Sequence, residues 1–260
     1  MSLRLVHVDR YVTPLREGGS MPAVVEADDL GMYVLKFRGA GQGPKALIAE
    51  IIAGELARAA GLPVPEIVLA QLDPELARTD PDPEIQDLIR ASAGLNMAMD
   101  YLPGAANFDA ARPSPVDAEL ASRIVWFDAF VSNVDRSTRN PNLMLWHRRL
   151  WLIDHGAALY IHHGWDGSAD GAGRPFERIA DHVLLRWASV IGAVDAQMAA
   201  RLTPAVIDGV LAKVPDDWLA ADATLADAAA WRRAYANYLG ERLRQRAGFV
   251  AEAERAHAQL

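Results

Sequence analysis

Polar side chains that can bind a cation surround a short apolar hairpin in the segment NVDRSTRNPNLMLWHRRLWLIDHG, residues 133–156. Two apolar runs flank the basic turn HRR, and this pattern predicts two antiparallel strands. Because the two ends of a hairpin are neighbours, Asn140 or Asn142 should converge with Asp154, with Asp135 close by. Carboxylate and amide oxygens are ligands for Mg²⁺, and a further carboxylate could orient or deprotonate a hydroxyl. This chemistry belongs to the metal-binding half of a phosphotransferase.

Asp135 and Asp154 also have a simpler interpretation, because aspartate is common in turns. Each residue alone is compatible with an ordinary capping or turn acid. A strand lysine, Lys36, and a glutamate-bearing helix lie upstream of them. Taken together, these residues favour a functional site over separate turn acids.

Composition narrows the class of protein. The 260 residues are 51% hydrophobic, which is enough to bury a core in one large domain or in two lobes. The net charge of −8 argues against direct nucleic-acid binding, and the absence of cysteine excludes disulfides and cysteine-ligated zinc. The N-terminus lacks a signal-peptide core and no apolar run could span a bilayer. We therefore expect a soluble, cytoplasmic protein that does not insert into membranes.

Strands dominate the first hundred residues. A helix with one apolar face, 45–61, interrupts them and should end at Gly61. The polar, proline-punctuated residues 73–92 are expected to form a loop or a short helix at the surface. The predicted strands span residues 3–12, 23–27, 31–37, 65–73 and 94–102.

Helices are predicted to dominate after a Pro- and Gly-rich connector near residues 102–113. Ser114 and Pro115 have the residue types preferred at a helix cap and at the first helical position. The last predicted helix carries several arginines, Arg242 among them, on a solvated face. The other helices are predicted at 177–192, 203–214 and 226–260. The pattern predicts an α+β protein with a strand-rich N-terminal lobe, residues 1–104, and a helical C-terminal lobe, residues 105–260, that carries the hairpin.

The order of these motifs resembles the protein-kinase-like superfamily. The catalytic loop of that superfamily is similar to the segment with Asp135 and, five residues later, Asn140. After the hairpin, the sequence Asp154-His155-Gly156 is similar to the metal-binding Asp-Phe-Gly. DRSTRNPNLML is especially similar to the phosphatidylinositol-kinase and HipA-type branches. Upstream, YVLKFRG and AEIIAGELARAAGLPVPEI resemble the lysine strand and the helix of HipA-like kinases. The resemblance covers about residues 30–160 and implies a bilobal kinase-like fold.

The resemblance also implies residue roles. Lys36 would hold the nucleotide phosphates, and Glu50 would pair with that lysine. Asp154 and an asparagine would bind Mg²⁺, and Asp135 would accept or steer the acceptor proton. Asn140 has the family spacing from Asp135, whereas Asn142 directly precedes the strand, so both are candidate metal ligands.

Two departures and one ambiguity accompany these roles. His155 replaces the usual Phe, which packs rather than coordinates, and Asp-Arg-Ser replaces Asp-Arg-His. Motif alignment selects Glu50 as the partner of Lys36, but Glu55 projects nearer the middle of the apolar stripe of the helix. We favour Glu50.

ATP is the expected nucleotide, together with Mg²⁺. Gly18, Gly19 and Ser20 between two strands are candidates for cradling its phosphates, and Gly39, Gly41 and Gly43 after the lysine strand are an alternative. The hinge that meets the adenine would be formed by Asp100, Tyr101 and Leu102. The acceptor would be a hydroxyl, with protein Ser or Thr favoured over a small molecule.

Three other classes of function are compatible with parts of the sequence. The run YVLKFRGAGQGPKALIAE has glycines between a strand and a helix, but not with the spacing of a dinucleotide-binding motif. A zinc hydrolase would draw ligands from Asp154, His155, His162, His163 and Asp166, which lack helical metal-ligand spacing. A kinase fold that binds nucleotide as a sensor and transfers nothing is the strongest alternative.

Overall fold

The computed structural model of the protein describes residues 2–15, 21–41, 43–112 and 116–260. Its strands and helices follow the predicted order of a strand-rich half and a helical half. The strands are β1 Leu5–Pro14, β2 Ala23–Ala27, β3 Met32–Lys36, β4 Ile67–Leu72, β5 Gly94–Asp100, β6 Ala106–Asn107, β7 Leu143–Trp146 and β8 Arg149–Leu152. The helices are α1 Pro44–Ala59, α2 Pro83–Ala91, α3 Ala118–Val131, α4 Ile191–Arg201, α5 Pro204–Leu211, α6 Asp216–Ala220, α7 Ala228–Arg244 and α8 Ala247–His257.

The first five strands form a closed barrel in the order β1-β2-β3-β5-β4. Neighbouring strands are antiparallel except for the parallel pair β1 and β4. Because side chains alternate along a strand, Tyr33 and Leu35 of β3 point into the barrel core. The alternation places Lys36 on the other side of the strand from Leu35, outside the barrel.

The barrel interior and the rest of the protein form two separate cores. The barrel core contains residues of all five strands together with Ile85 and Ile89 of α2. The larger core contains the apolar face of α1, the residues Met97 and Met99 of β5, and the helices from α3 onward. Helix α1 therefore packs with the helical half of the chain, although it lies between two barrel strands in the sequence.

Helix α1 begins and ends at residues suited to those positions. Pro44 occupies its first turn, where a missing N–H is tolerated. Gly61 follows its end with a φ of 76°, a left-handed conformation that glycine adopts without a side-chain clash. The predicted stop at Gly61 is confirmed.

The hairpin of β7 and β8 pairs Leu143 with Leu152 and Trp146 with Arg149. His147 and Arg148 form its turn with positive φ angles of 47° and 63°. Strand β6 adds a third strand to this small sheet. The predicted hairpin is present, but β8 ends at Leu152, so Asp154 follows the second strand and does not end it. The open end of the hairpin faces the preceding loop.

Three predicted features of the helical half are wrong. Helix α3 begins at Ala118, because Asp117 caps it by accepting a hydrogen bond from the backbone N–H of Leu120 at 2.7 Å; Ser114 and Pro115 lie outside the described residues. In place of the helix predicted at 177–192, Glu177–Asp181 and Leu185–Trp187 form short 3₁₀ turns, and α4 begins at Ile191. The backbone of this segment forms hydrogen bonds with another part of the chain, since the N–H of Val183 donates to the carbonyl of Arg136 at 3.0 Å.

The third difference concerns the last helix, which is divided into α7 and α8. Arg246 at the break pairs with Asp195 of α4, with Nε 3.0 Å from both carboxylate oxygens. Arg242 is buried rather than solvated and donates to the carbonyls of Ala129 and Phe130. These are carbonyls near the end of α3 that lack a partner within their own helix, so a buried cation satisfies them.

No helix in the part of the chain that the structure describes has the length and apolar character needed to cross a membrane.

Candidate active site

Lys36, Glu50 and Asp154 meet at the outer side of strand β3. The Nζ atom of Lys36 contacts Oε1 of Glu50 and lies 2.7 Å from Oδ1 of Asp154. The lysine side chain is 12% exposed and that of Glu50 is 1% exposed, so water screens this ion pair little. Although burial lowers the pKa of Lys36, the charges of Glu50 and Asp154 outweigh this effect and raise it. The lysine is therefore held in its charged form.

Glu50 connects the lysine to the segment that follows the hairpin. Its Oε2 accepts the backbone N–H of His155 and its Oε1 accepts that of Gly156, each at 2.9 Å. Burial raises the pKa of Glu50; the charge of Lys36 opposes this shift, and the like charge of Asp154 adds to it. One buried carboxylate thus bridges the barrel lysine and the Asp-His-Gly backbone.

Glu55, the alternative partner, lies elsewhere. It is five residues further along α1 and contacts Nζ of Lys213, with Nε of Arg58 at 3.4 Å. The two acids therefore occupy different sides of the helix: Glu50 faces the barrel lysine, and Glu55 faces the helical half of the chain.

Asp135 forms a second group with the two asparagines. Its Oδ2 accepts a hydrogen bond from Nδ2 of Asn140 at 2.9 Å, and its backbone carbonyl accepts one from Nδ2 of Asn142 at 2.6 Å. Burial raises the pKa of Asp135, the hydrogen bond from Asn142 lowers it, and the charge of Asp154 raises it. The two groups are thus electrostatically coupled through the two aspartates.

The hairpin brings Asn142 and Asp154 to the same end. The N–H of Ile153 donates to the carbonyl of Asn142 at 3.1 Å, which places Asn142 across from the residue before Asp154. Asn142 and Asp154 both adopt left-handed conformations, with φ angles of 47° and 54°. Such angles are uncommon outside glycine and are most often found for asparagine and aspartate.

Sequence reasoning missed a buried network beneath this site. Asp128 of α3 accepts hydrogen bonds from Nε of Arg136 at 2.6 Å and from Nδ2 of Asn133 at 3.1 Å, and it lies 3.0 Å from Nε2 of His182. Burial raises the pKa of Asp128, but the Arg136 charge and the His182 hydrogen bond outweigh burial and hold it well below its usual range. The available signal was one acid in the apolar run IVWFDAFV, where an unpartnered carboxylate would be costly.

His155 and His162 are packed in the interior. Burial lowers the pKa of each to about 3, so both are neutral. The ring nitrogens of His155 form no hydrogen bond with any residue that the structure describes, whereas Nδ1 of His162 lies 3.0 Å from the hydroxyl of Tyr235. Among the described residues, no group of three or more His, Cys, Asp or Glu side chains is placed to hold a metal.

The proposed nucleotide contacts occupy different places. Lys36 is paired with Met97 across β3 and β5, whereas Asp100 is paired with Tyr33, three residues further along the ladder. The N–H of Tyr101 donates to the carbonyl of Met32 at 3.0 Å, and Leu102 is buried. Because a strand rises roughly 3.3 Å per residue, Asp100 lies about 10 Å along the strand direction from the position of Lys36.

Of the two glycine-containing segments, one can be described. Gly18, Gly19 and Ser20 lie outside the described residues. In the alternative segment, the N–H of Gly39 donates to Oγ of Ser92 at 3.0 Å, and Gly43 caps the start of α1. These contacts give Gly39 and Gly43 structural roles in connecting β3 to α1.

Two cavities of the protein lie outside this cluster. One, of about 400 Å³, is bordered by Arg123, Arg148 and Arg149 near the hairpin turn. The other, of about 370 Å³, lies between the start of α1 and the α6–α7 region. Neither cavity is lined by Lys36, Asp135 or Asp154. The assignment of the candidate site is therefore based on the contacts between its side chains.

Comparison with known proteins gave one family and several related folds. A family model described as HipA-like kinase matches residues 8–246. The crystal structure of the Helicobacter pylori proinflammatory kinase CtkA superposes with a TM-score of 0.57 at 11% sequence identity, covering 96% of this chain and 98% of that chain. This likeness shows a shared fold.

Weaker likenesses were found to the Golgi casein kinase. One structure of it gave a TM-score of 0.42 at 13% identity, covering 95% of this chain and 72% of that chain. A structure described as having Mn/ADP bound gave 0.43 at 12% identity, covering 94% and 73%. No match was found among curated protein sequences.

Proposed function

The chain belongs to the HipA-like kinase family, and we propose that it transfers the γ-phosphoryl group of ATP to a hydroxyl acceptor in a Mg²⁺-dependent reaction. The observation that carries this proposal is the convergence of Lys36 with Glu50 and Asp154, beside an Asp135 fixed by two asparagines. The Lys36–Glu50 ion pair supports the proposal, because protein kinases need such a lysine–glutamate pair in place for activity.

The charges of the site fit a nucleotide and a divalent cation. Among the described residues, the carboxylates of Glu50 and Asp154 share one ammonium, that of Lys36, and the charge of Asp135 acts on the same region, an arrangement that would favour a bound cation. Asp154 with Asn140 or Asn142 would hold Mg²⁺ through oxygen ligands. When bound, the metal neutralises negative charge on the phosphates.

Each remaining residue has a role in the proposal. Lys36 would bind the phosphates, and Glu50 would hold its ammonium in place. The segment Asp100, Tyr101 and Leu102 would meet the adenine, and Gly18, Gly19 and Ser20 would meet the phosphates.

Asp135 is proposed as the group that accepts the proton of the acceptor hydroxyl. The amide of Asn140 donates to its Oδ2, and its backbone N–H donates to Oδ1 of Asn133 at 3.1 Å. These contacts fix the direction of the carboxylate before an acceptor arrives. Its pKa, raised by burial, also makes it a better proton acceptor than an exposed aspartate.

The family resemblance favours a protein Ser or Thr as acceptor. In this proposal residues 1–104 form the nucleotide-binding lobe and residues 105–260 form the lobe that receives the acceptor. The presence of two separate hydrophobic cores supports two lobes. Helix α1 is the element shared between them, because it follows the barrel lysine in sequence and packs into the larger core.

A pair of aspartate variants tests whether the protein is a kinase or a nucleotide sensor. Asp154→Asn should weaken Mg²⁺-dependent ATP binding as well as transfer. Asp135→Asn keeps the shape of the side chain but removes the proton acceptor, so ATP affinity should persist while transfer falls by about 10²-fold or more. Binding is measured by calorimetry, and transfer by protein labelling and phosphate release from radiolabelled ATP.

Asp87→Asn is the matched control, because Asp87 is an exposed acid on α2. It should behave as wild type in both measurements. If wild type binds ATP tightly but transfers phosphoryl groups no faster than Asp135→Asn, the protein is a nucleotide sensor. Absence of binding by wild type would reject the proposal altogether.

A further inference from the structure

Helix α1, which carries Glu50, is attached at its start to the C-terminal half of the chain. The Nζ atom of Lys45 lies 2.7 Å from Oδ2 of Asp222 and donates to the carbonyl of His162 at 2.6 Å. The lysine and aspartate side chains are 28% and 25% exposed, so solvent screens the ion pair only in part. The Lys45 hydrogen bond, with one from Thr224, lowers the pKa of Asp222 to about 2.

A cavity lies beside this end of the helix. The cavity of about 370 Å³ between α1 and the α6–α7 region is lined by Lys45, Ile48, Trp218, Asp222 and Trp231. The Lys45–Asp222 ion pair crosses from α1 to the segment after α6 at the border of this cavity. The ion pair therefore adds a directional connection beside the apolar contacts of Ile48, Trp218 and Trp231.

The middle and the end of α1 are attached to the same half of the chain. Glu55, 8% exposed, contacts Lys213. Beyond the helix, the carbonyl of Ala60 accepts hydrogen bonds from Arg123 at 2.9 Å and from Arg201 at 2.7 Å. The partners lie on α3, α4 and the connection between α5 and α6, so α1 is tethered along its whole length.

Among the barrel residues that the structure describes, Lys36 is the one that contacts the Glu50 carboxylate. The other hydrogen bonds of the Glu50 carboxylate come from the backbone of His155 and Gly156. Rotation or translation of α1 would therefore withdraw Glu50 from Lys36 and from the Asp-His-Gly segment together.

We propose that Lys45, Asp222, Glu55 and Lys213 are positioning residues, whose two ion pairs keep α1 docked so that Glu50 stays opposite Lys36. This inference rests on the proposed function for its catalytic consequence. Its structural content stands apart from catalysis, because the attachment of α1 can be measured without turnover. The helix is then a fixed part of the helical half, and the site is assembled before nucleotide binds.

Replacement of Asp222 gives the sharpest test. Asp222→Asn keeps a side chain that can accept from the N–H of Thr224 but removes the charge that faces Lys45. Hydrogen–deuterium exchange should become faster across residues 45–60 than in wild type. In a kinase, kcat should fall by roughly tenfold or more, since displacement of a catalytic group by about 1 Å can cost 10²-fold. Asp222→Glu keeps the charge, so its exchange rate at residues 45–60 and its kcat should both be closer to those of wild type than the values of Asp222→Asn.

Asp195→Asn serves as the matched control. Asp195 of α4 is similarly exposed, at 23%, and pairs with Arg246 at the break between α7 and α8. It also accepts a hydrogen bond from Nε1 of Trp126 at 2.8 Å and does not contact α1. It should leave exchange at residues 45–60 and kcat unchanged. Lys213→Met, which removes the second ion pair, should accelerate exchange in the same helix.

Exchange and activity separate the two proposals. If Asp222→Asn and Lys213→Met both exchange at the wild-type rate across residues 45–60, the positioning role is overturned, whatever their activity. Faster exchange with unchanged kcat in an active enzyme would also overturn it, since α1 would then not position the catalytic pair. A wild type with no transfer would reject the proposed function, while the exchange comparison would still decide whether the ion pairs hold α1.

Discussion

The guanidinium of Arg136 lies against the carboxylate of Asp128 in the interior of the protein, with Nε 2.6 Å from Oδ2. Both side chains are fully shielded from solvent. The same guanidinium contacts the carbonyl of Asn142 and donates to that of Ile153 at 3.3 Å. Arg136 thus connects α3 to the residues that flank both strands of the hairpin, at the end where Asp154 lies. Because Asp135 immediately precedes Arg136, this connection also fixes the proposed base.

Asp128→Asn should destabilise the protein strongly. Its amide cannot neutralise Arg136, and breaking a buried ion pair by removing one partner costs about 3–5 kcal/mol. Replacing both charges, Asp128→Leu with Arg136→Met, should cost less than the sum of the two single changes, because no unpaired charge is then buried. Urea unfolding of the single and double variants measures the difference. Additive losses would show that the pair is not coupled.

ATP with Mg²⁺ should raise the melting temperature of wild type. A ligand that binds only the folded state, at a hundred times its dissociation constant, stabilises it by about 2.7 kcal/mol. For a chain of this size such a change corresponds to several degrees. Differential scanning fluorimetry with ATP and Mg²⁺, with ATP and EDTA, and with neither separates the contributions. A wild type that shows neither a melting shift nor a binding heat with both ligands does not bind the nucleotide.

Lys36→Met should lower turnover strongly and weaken ATP binding. The chain should still fold, with a lower free energy of unfolding, because the buried carboxylate of Glu50 loses its cation. The methionine keeps an apolar stem at the end of β3 but lacks the ammonium that would meet the phosphates. Loss of one charge-stabilising group commonly costs about 10²–10³-fold in kcat. Steady-state kinetics and calorimetry measure the effect, with Arg78→Met on the exposed Pro74–Thr79 turn as control. Normal turnover by Lys36→Met would move the phosphate site elsewhere.

His162 should make stability depend on pH below neutrality. Burial, with the charges of His163 and Lys45, lowers its folded-state pKa to about 3, whereas an unfolded histidine has a pKa of about 6.5. The unfolded chain therefore takes up the proton first, so stability is complete above about pH 6.5 and declines as the pH falls towards 3. At pH 5 this one group should cost about 2 kcal/mol.

His162→Gln isolates that contribution, because glutamine does not titrate in this range. The free energy of unfolding, measured by urea titration between pH 7 and pH 5, should fall less steeply than in wild type. His155 and His182, whose pKa values burial also lowers, retain their share of the slope in both proteins. Equal slopes in wild type and variant would contradict a buried, neutral His162.

The sequence by itself determined the features that depend on neighbouring residues. Alternating apolar residues predicted the barrel strands, and the two apolar runs about HRR predicted the hairpin of residues 143–152. The order of the lysine strand, the glutamate helix and Asp135 to Gly156 indicated the HipA-like kinase family, which the family match confirms. These patterns are local, because strand periodicity, turn chemistry and motif spacing are set within a few residues.

Only the tertiary structure decided which polar groups meet. Glu50 and Glu55 lie on one helix, and the docking of α1 turns Glu50 towards Lys36 and Glu55 towards Lys213. The burial of Arg242 and the loss of the helix predicted at 177–192 were likewise set by partners far away in the chain. A buried charge or backbone group must find a partner wherever packing brings one. Periodicity along the sequence shows which side of a helix is apolar, but not which distant residue will face each polar group on it.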